Sequence, residues 1–244
     1  MGTCSNCGRP LILNNGRCIY CNCEPSQNAK SKTIVQRGNF GNHTKSIEGL
    51  KIEVTSPGFD DIGEVLKQLN IRYFPFDNDY NCDILFLNCG TSDHIDAGKL
   101  QSFVSNGGVL YASDLTYGIV MGTWPDLMKV DTRNSSCIVR ANIVDKDLHQ
   151  YLGSVIDVNF DLSNWAKIVS VSQGKVLMES ANEGFPIMVE FAIGKGKIYY
   201  TSFHNHAQAS ETENALLKLL VAKQVSAATK MSFQQTVQSM RLSL

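Results

Sequence analysis

Residues 83–90, DILFLNCG, contain the apolar run that decides the fold. The run at 83–88 is short, continuous and bounded by polar residues, which predicts a strand buried on both faces. A helix-like stretch at 95–106 follows, and then GGVLYASDL at 107–115, which contains a second apolar run. Strands that alternate with helices in this way predict an α/β fold with a doubly wound, mostly parallel sheet.

The same alternation extends in both directions from this core. Upstream, the patterns predict strands at 51–55 and 72–76 and a helix at 60–70; downstream, they predict strands at 187–193 and 197–202 and a helix at 211–223. Between 116 and 187 the alternation lapses, and short strands are predicted at 136–144, 154–160, 167–171 and 176–179. We therefore predict one α/β domain at 49–223 with a β-rich insertion at about 133–180. A Gln/Ser-rich tail, predicted to be a loosely docked helix, completes the chain at 224–244.

Polar side chains follow three of the predicted parallel strands. Ligands of open α/β sheets bind beyond the carboxyl ends of the strands, because the loops converge there. We therefore expect one pocket, able to hold a small-molecule ligand, in which the following residues meet: Cys89, Gly90, Asp93, His94, Ser113, Asp114, His204 and His206.

These segments resemble the class I glutamine amidotransferase-like superfamily, including its trehalose-utilisation-type (ThuA-like) relatives, over roughly 50–125 and 186–223. DILFLNCG is similar to the family strand and glycine loop that form the oxyanion site, and GGVLYASDL to the strand and nucleophile elbow. TSFHNH at 201–206 is similar to the strand with the catalytic histidine. The resemblance implies a flavodoxin-like sheet, with Ser113 at the nucleophile position and His204 at the base position.

The chain departs from the family pattern at several positions. Tyr111 and Leu115 stand two residues before and after Ser113, where the strained elbow needs small residues. The nucleophile position holds serine instead of cysteine, and His206 replaces the orienting glutamate. We interpret the domain as a pseudoenzyme that serves as a binding or assembly module and whose partner is another protein.

Three other chemistries remain open at this pocket. Ser113 and His204 could form a hydrolase pair, with His206, Asp93 or Asp114 orienting the imidazole. Cys89 could be a reactive thiol near His94. A metal could bind a two-histidine, one-carboxylate set drawn from the following residues: Asp93, His94, Asp114, His204 and His206.

The first 23 residues have the cysteine spacing of a zinc ribbon. Cys4 and Cys7 form one C-x2-C pair, and Cys18 and Cys21 form a second after ten residues. Two such pairs supply four thiolates to one closed tetrahedral site, so we predict one structural zinc per chain. Two short strands about an Asn-Asn-Gly turn are predicted at 9–17. Cys23 could substitute for Cys21, and two disulfides are the rival interpretation.

The linker and the charge distribution indicate possible partners, and the lack of long apolar segments indicates the cellular location. Residues 24–48 are rich in Ser, Asn, Gly and Lys, which predicts a flexible linker. Residues 1–51 hold seven Lys/Arg against two Glu, whereas 52–223 hold 13 Lys/Arg against 21 Asp/Glu. Nucleic-acid binding through the ribbon and the basic linker is therefore a further alternative. Because the N-terminus has no apolar signal region and no run approaches about 20 apolar residues, we expect a cytoplasmic protein without membrane contact.

Overall fold

The structure is a computed structural model that describes residues 13–14, 17–18, 46–208 and 210–242. The chain divides into two compact units, residues 1–42 and residues 43–244.

The first unit contains an antiparallel pair of short strands. Strand β1 (Leu13–Asn14) pairs with β2 (Arg17–Cys18), with Leu13 opposite Cys18 and Asn14 opposite Arg17. This pair matches the hairpin predicted within the ribbon. Cys18 lies at the end of β2, whereas Cys4, Cys7 and Cys21 lie outside the described residues, so the zinc site stays a prediction.

The second unit is an α/β domain with eleven further strands among its described residues. These strands are β3 (Ile52–Val54), β4 (Phe74–Pro75), β5 (Ile84–Leu87), β6 (Val109–Ser113), β7 (Met128–Asp131), β8 (Cys137–Ile143), β9 (Val155–Phe160), β10 (Lys167–Val171), β11 (Lys175–Ser180), β12 (Pro186–Ile193) and β13 (Gly196–Thr201). The helices are α1 (Ile62–Gln68), α2 (Ala97–Ser105), α3 (Tyr117–Thr123), α4 (Lys146–Leu152), α5 (Glu211–Thr229) and α6 (Phe233–Ser239).

Nine of these strands form one sheet with the order β4-β3-β5-β6-β13-β12-β11-β8-β9. The first five strands are parallel to one another, and the last four join through antiparallel pairs. Strands β7 and β10 form a separate antiparallel pair. The carboxyl ends of β3, β5, β6 and β13 therefore lie side by side at one edge of the sheet.

Apolar side chains fill both faces of this sheet. One cluster joins the strands to α1, α4, α5 and α6 through residues such as Leu66, Leu148, Leu220 and Phe233. The other cluster joins them to α2, α3 and the β7–β10 pair through residues such as Phe103, Val120 and Ile168. Strand β5 has four buried residues in succession, because it is covered on both faces.

The predicted elements of the α/β core are present, with ends that differ by a few residues. The short strands predicted for the insertion are present, and β8, β9 and β11 among them extend the main sheet. Helices α3 and α4 and strand β7 were not predicted, because short elements in polar sequence give weak periodicity.

The predicted boundary at 223 is wrong, because α5 continues to Thr229. Gln224 and Val225 are fully buried within this extension. Helix α6 then packs against the core through Phe233 and Val237, so the tail is docked. Among the described helices, none has the length and apolar character needed to span a membrane.

Candidate functional site

The site lies where neighbouring parallel strands of the sheet end. Thr201 of β13 lies opposite Ser113 of β6, and β5 pairs with β6 on its other side. The loops after these strands therefore meet the loop that follows β3. The sequence predicts convergence of three strand ends, and the side-chain contacts below show which of the predicted residues meet.

Asp60 is the buried hub of this end of the sheet. Its Oδ2 atom accepts hydrogen bonds from Ser113 Oγ at 2.9 Å and Asn205 Nδ2 at 3.0 Å. Its Oδ1 atom accepts from the backbone N–H groups of Asn205 at 2.8 Å and Asp61 at 3.1 Å. A carboxylate with this many donors is well satisfied in the interior, and it fixes the loops after β3, β6 and β13 relative to one another.

Asp114 occupies the strained turn after β6. Ser113 is the last strand residue, with φ −125°, whereas Asp114 has φ +40° and starts a short 3-10 helix, Asp114–Thr116. A non-glycine residue at positive φ after a strand is typical of an elbow position. Ala112 and Thr116, two residues before and after Asp114, are the small residues that such a turn needs. The elbow residue is therefore Asp114 and not the predicted Ser113.

Asp114 directs its polar atoms into the protein. Its Oδ1 atom accepts from the Ala166 N–H at 2.7 Å, and its Oδ2 atom lies 3.1 Å from His204 Nε2. The Tyr200 hydroxyl donates to its backbone carbonyl at 2.6 Å. Because its side chain is only 1% exposed, Asp114 is closed off from solvent in this conformation.

His204 lies between two carboxylates. Its Nε2 atom faces Asp114, and its Nδ1 atom lies 2.9 Å from Asp161 Oδ1. Burial opposes a charge on the imidazole, but contacts with Asp114, Cys89 and Asp161 outweigh it and raise the pKa of His204 to about 11. The imidazole of His204 thus links the elbow to the loop after β9.

Cys89 completes the buried part of the site. Its sulfur and donor atoms of Asp114 and His204 all lie within 4.8 Å of one another. The loop around Cys89 is held by a close approach of two glycines: a Cβ on Gly58 would lie 2.3 Å from the Gly90 backbone. Gly90 itself has φ +77°, a conformation that glycine adopts without strain.

His206 forms the solvent-facing layer of the site. Its ring stacks on His204 with centroids 5.6 Å apart, and its Nε2 atom lies 3.4 Å from Asp161 Oδ2. The Asp60 carboxylate, whose Oδ1 atom lies 3.8 Å from Nδ1, and the charge of Asp161 raise the pKa of His206. The side chain is 47% exposed. It lines a cleft of about 320 Å³ together with Gly58, Phe59, Asp60, Asp61, Glu64, Asp161 and Leu162.

Comparisons with known proteins identify the fold of this domain. No protein-family model matches the sequence, and no curated protein matches it. Among solved structures, a candidate GMP synthase subunit from Thermoplasma acidophilum is similar with a TM-score of 0.55 and 15% identity, over 78% of this chain and 97% of that one. A candidate ThuA-like protein from Bacteroides uniformis ATCC 8492 has a TM-score of 0.55 and 13% identity, over 77% and 95%. The N-terminal domain of mmIFT52 has a TM-score of 0.51 and 10% identity, over 72% and 97%.

The α/β domain is amidotransferase-like in fold. This confirms the fold that the sequence resemblance implied. At identities of 10% to 15%, the likeness extends to the fold alone and not to an activity.

The amidotransferase-like domain brings together some of the predicted pocket residues. Cys89, Asp114, His204 and His206 meet as described above, and Gly90 supports their loop. Asp93 instead accepts from the Ser56 N–H at 2.6 Å and from the Thr91 hydroxyl, so its carboxylate holds a loop. His94 is exposed.

The side chains of Ser113 and His204 contact other residues instead of forming the predicted pair. The Ser113 hydroxyl is fully buried and donates to Asp60, while His204 contacts Asp114 and Asp161. The two residues still lie on adjacent strand ends, as the register of β6 and β13 requires. Whether either acts in a reaction stays a prediction.

Two residues of the site were missed in the sequence. Asp60 lies at the start of the predicted helix at 60–70, a position that gives no sign of a buried site residue, and Asp61 is the residue that caps α1, by accepting from the Gly63 N–H at 2.9 Å. Asp161 directly follows β9, and a polar residue at the end of a predicted strand is the signal that could have identified it. It was overlooked because β9 was assigned to an insertion instead of the main sheet.

Proposed function

We propose that this chain is a binding or assembly module whose amidotransferase-like domain has no catalytic activity of its own. The proposal rests on the contacts made by Asp114, the residue at the elbow. Both of its carboxylate oxygens and its carbonyl have partners inside the protein. A nucleophile at an elbow must instead face a substrate and a base.

The other potential nucleophiles are enclosed as well. Ser113 and Cys89 are 0% exposed, and the hydroxyl of Ser113 donates to a carboxylate that already accepts from several other groups. Ser113, Cys89 and Asp114 do not line the cleft beside His206. A substrate in that cleft would therefore meet His206 and Asp161 before any nucleophile.

We further propose that the cleft receives a basic group of a protein partner or small ligand. Asp61, Glu64 and Asp161 give its rim three carboxylates, and His206 is its one basic side chain among the described lining residues. Phe59, which is 52% exposed, adds an apolar wall. An aromatic ring beside carboxylates favours an arginine or a quaternary amine.

Nucleophile labelling of the full chain tests the absence of catalysis. We expect no ammonia release from glutamine and no labelling by a fluorophosphonate or a glutamine-analogue probe. Among the cysteines of the α/β domain, iodoacetamide should alkylate the exposed Cys137, and modification of this residue should be absent in Cys137→Ser. Stoichiometric labelling that is lost in Ser113→Ala would establish the serine hydrolase instead, and labelling lost in Cys89→Ser would establish a thiol enzyme.

Partner binding is tested by paired variants on the exposed surface. Glu64→Lys and Phe59→Ser should each weaken binding of an arginine-rich peptide to the full chain by about tenfold, a change of about 1.4 kcal/mol. Phe74→Ser is the matched control, because Phe74 is also exposed but does not line the cleft. Equal affinity in all three variants would refute the cleft as the binding site. Salt-sensitive retention on DNA that is lost without residues 1–47 would favour the nucleic-acid alternative.

A further inference from the structure

Three different metal-ligand side chains meet at the centre of the buried site. Cys89 follows β5, Asp114 follows β6 and His204 follows β13, and their exposures are 0%, 1% and 2%. The cysteine sulfur, a carboxylate oxygen and an imidazole nitrogen are mutually within 4.8 Å. This set differs from the metal ligands expected from the sequence, since Asp93 and His94 are not part of it.

The orientation of His204 is the second observation. Asp161 holds the Nδ1 atom at 2.9 Å, which leaves Nε2 directed at Asp114 and Cys89. A histidine that binds a metal usually has its other ring nitrogen held by a carboxylate in this way. In the described part of the chain, Nε2 is buried without a well-aligned hydrogen bond, although Asp114 Oδ2 lies 3.1 Å away.

We propose that Cys89 Sγ, Asp114 Oδ2 and His204 Nε2 form a binding site for one zinc ion. Thiolate, imidazole and carboxylate together are the donor set of zinc, whereas calcium and magnesium prefer oxygen alone. The Nε2–Oδ2 distance of 3.1 Å is close to the roughly 3.3 Å between two ligands of a tetrahedral ion with bonds of about 2.0 Å. A water or the second Asp114 oxygen would be the fourth ligand.

Because metal ligands must be deprotonated, zinc would bind Cys89 as the thiolate and His204 through the lone pair of Nε2. Zinc then supplies the positive charge that faces Asp114. Because all three donors are buried, the ion would be enclosed by the protein, and it would join the ends of three strands that form a rigid base for the proposed module.

Metal content of the full chain tests this site separately from the predicted ribbon. After loading with zinc and desalting, Cys89→Ala should hold about one zinc fewer per chain than the wild type. Cys137→Ala is the matched control and should lose none, because Cys137 is exposed and outside the cluster. Equal zinc content in the wild type and a folded Cys89→Ala variant would overturn the proposal.

A second measurement covers the case in which Cys89→Ala fails to fold. In a full chain with Cys4→Ser, Cys7→Ser, Cys18→Ser, Cys21→Ser and Cys23→Ser, every cysteine of the ribbon is removed and Cys89 remains. Cobalt should then produce a thiolate charge-transfer band, and zinc should raise the thermal midpoint by several degrees. No band and no shift in this variant would mean that a proton alone occupies the position, which would also overturn the proposal.

Discussion

Asp60 shows how one buried carboxylate can organise a site. Its donors come from its chain neighbour, from Ser113 and from Asn205, which lie 53 and 145 residues away. Each donor would be unpaired in the interior without it. Charged hydrogen bonds of this type contribute about 1.5–3 kcal/mol each, and unpaired buried donors cost a further desolvation penalty.

Replacement of Asp60 should therefore destabilise the domain more than replacement of its neighbour. We expect Asp60→Ala to lower the free energy of unfolding by about 3 kcal/mol or more, because several buried donors lose their acceptor. Asp61→Ala should cost about 1 kcal/mol, since it removes one helix cap. Urea unfolding of both variants measures the difference, and equal losses would contradict the role of Asp60 as the hub.

Asp145 is a second buried carboxylate with cationic partners. It contacts Lys175, and Lys223 Nζ lies 2.6 Å from its Oδ1 atom. Burial disfavours its charge, but the hydrogen bonds with Lys175 and Lys223 outweigh burial and lower the pKa of Asp145. Because the folded pKa is below the unfolded value of about 3.9, this contribution to stability is present above pH 4. It is lost as the pH falls through the folded pKa.

Asp145→Asn should consequently make the free energy of unfolding less dependent on pH in the acid range. We expect the free energy of unfolding of the wild type to fall more steeply below pH 4 than that of the variant, which has no carboxylate to protonate at this position. The variant should also be less stable at pH 7, because Lys223 keeps only Asp147 at 2.8 Å as an acidic partner among its described contacts. Parallel curves for the two proteins would refute this assignment.

At the scale of elements, loop contacts position the site as much as the strands do. The loop before α1 crosses the loop after β5 at Gly58 and Gly90, and the Phe59 N–H donates to the Cys89 carbonyl at 2.7 Å. A side chain at either glycine would separate the two loops. This crossing places Phe59 over the site, with its ring centroid 6.5 Å from that of His204.

Alanine substitution shows which glycines the fold requires for its stability. Gly58→Ala should cost about 2 kcal/mol or more, because its Cβ would overlap backbone atoms that cannot rotate away. Gly118→Ala should be neutral or stabilising by about 0.5–1 kcal/mol, since Gly118 lies in α3 with no atom within 4 Å of an added Cβ. Thermal and urea unfolding measure both variants; a tolerated Gly58→Ala would show that the loops can move apart.

At the scale of the whole molecule, the sheet combines two kinds of strand pairing. The parallel half converges at the site, and the antiparallel half adds Asp161 from the end of β9. Tyr111 of β6 joins this strand to β13 and the loop after it, because its hydroxyl contacts Thr201 Oγ1 at 2.8 Å and donates to Asn205 Oδ1 at 3.0 Å. The insertion is thus a structural part of the site.

The second unit should fold without the first. Both apolar clusters of the described residues belong to residues 43–244, so this unit has its own core. We expect a chain of residues 43–244 to unfold cooperatively, with a thermal midpoint within about 5 °C of that of the full chain. Circular dichroism measures the transition. A gradual loss of signal with no cooperative step would contradict the prediction.

The sequence by itself determined the alternation of strands and helices in the α/β core and the edge of the sheet at which polar residues collect. These features follow from apolar periodicity and from turn residues, which act between chain neighbours. It did not determine that the elbow is occupied by Asp114 and not by Ser113. The residue at the elbow changes by one position with the residue at which β6 ends. Nor did it reveal the partners of Asp60 and His204. Those contacts join residues far apart in the chain, and only the tertiary arrangement of strands and loops decides which of them meet.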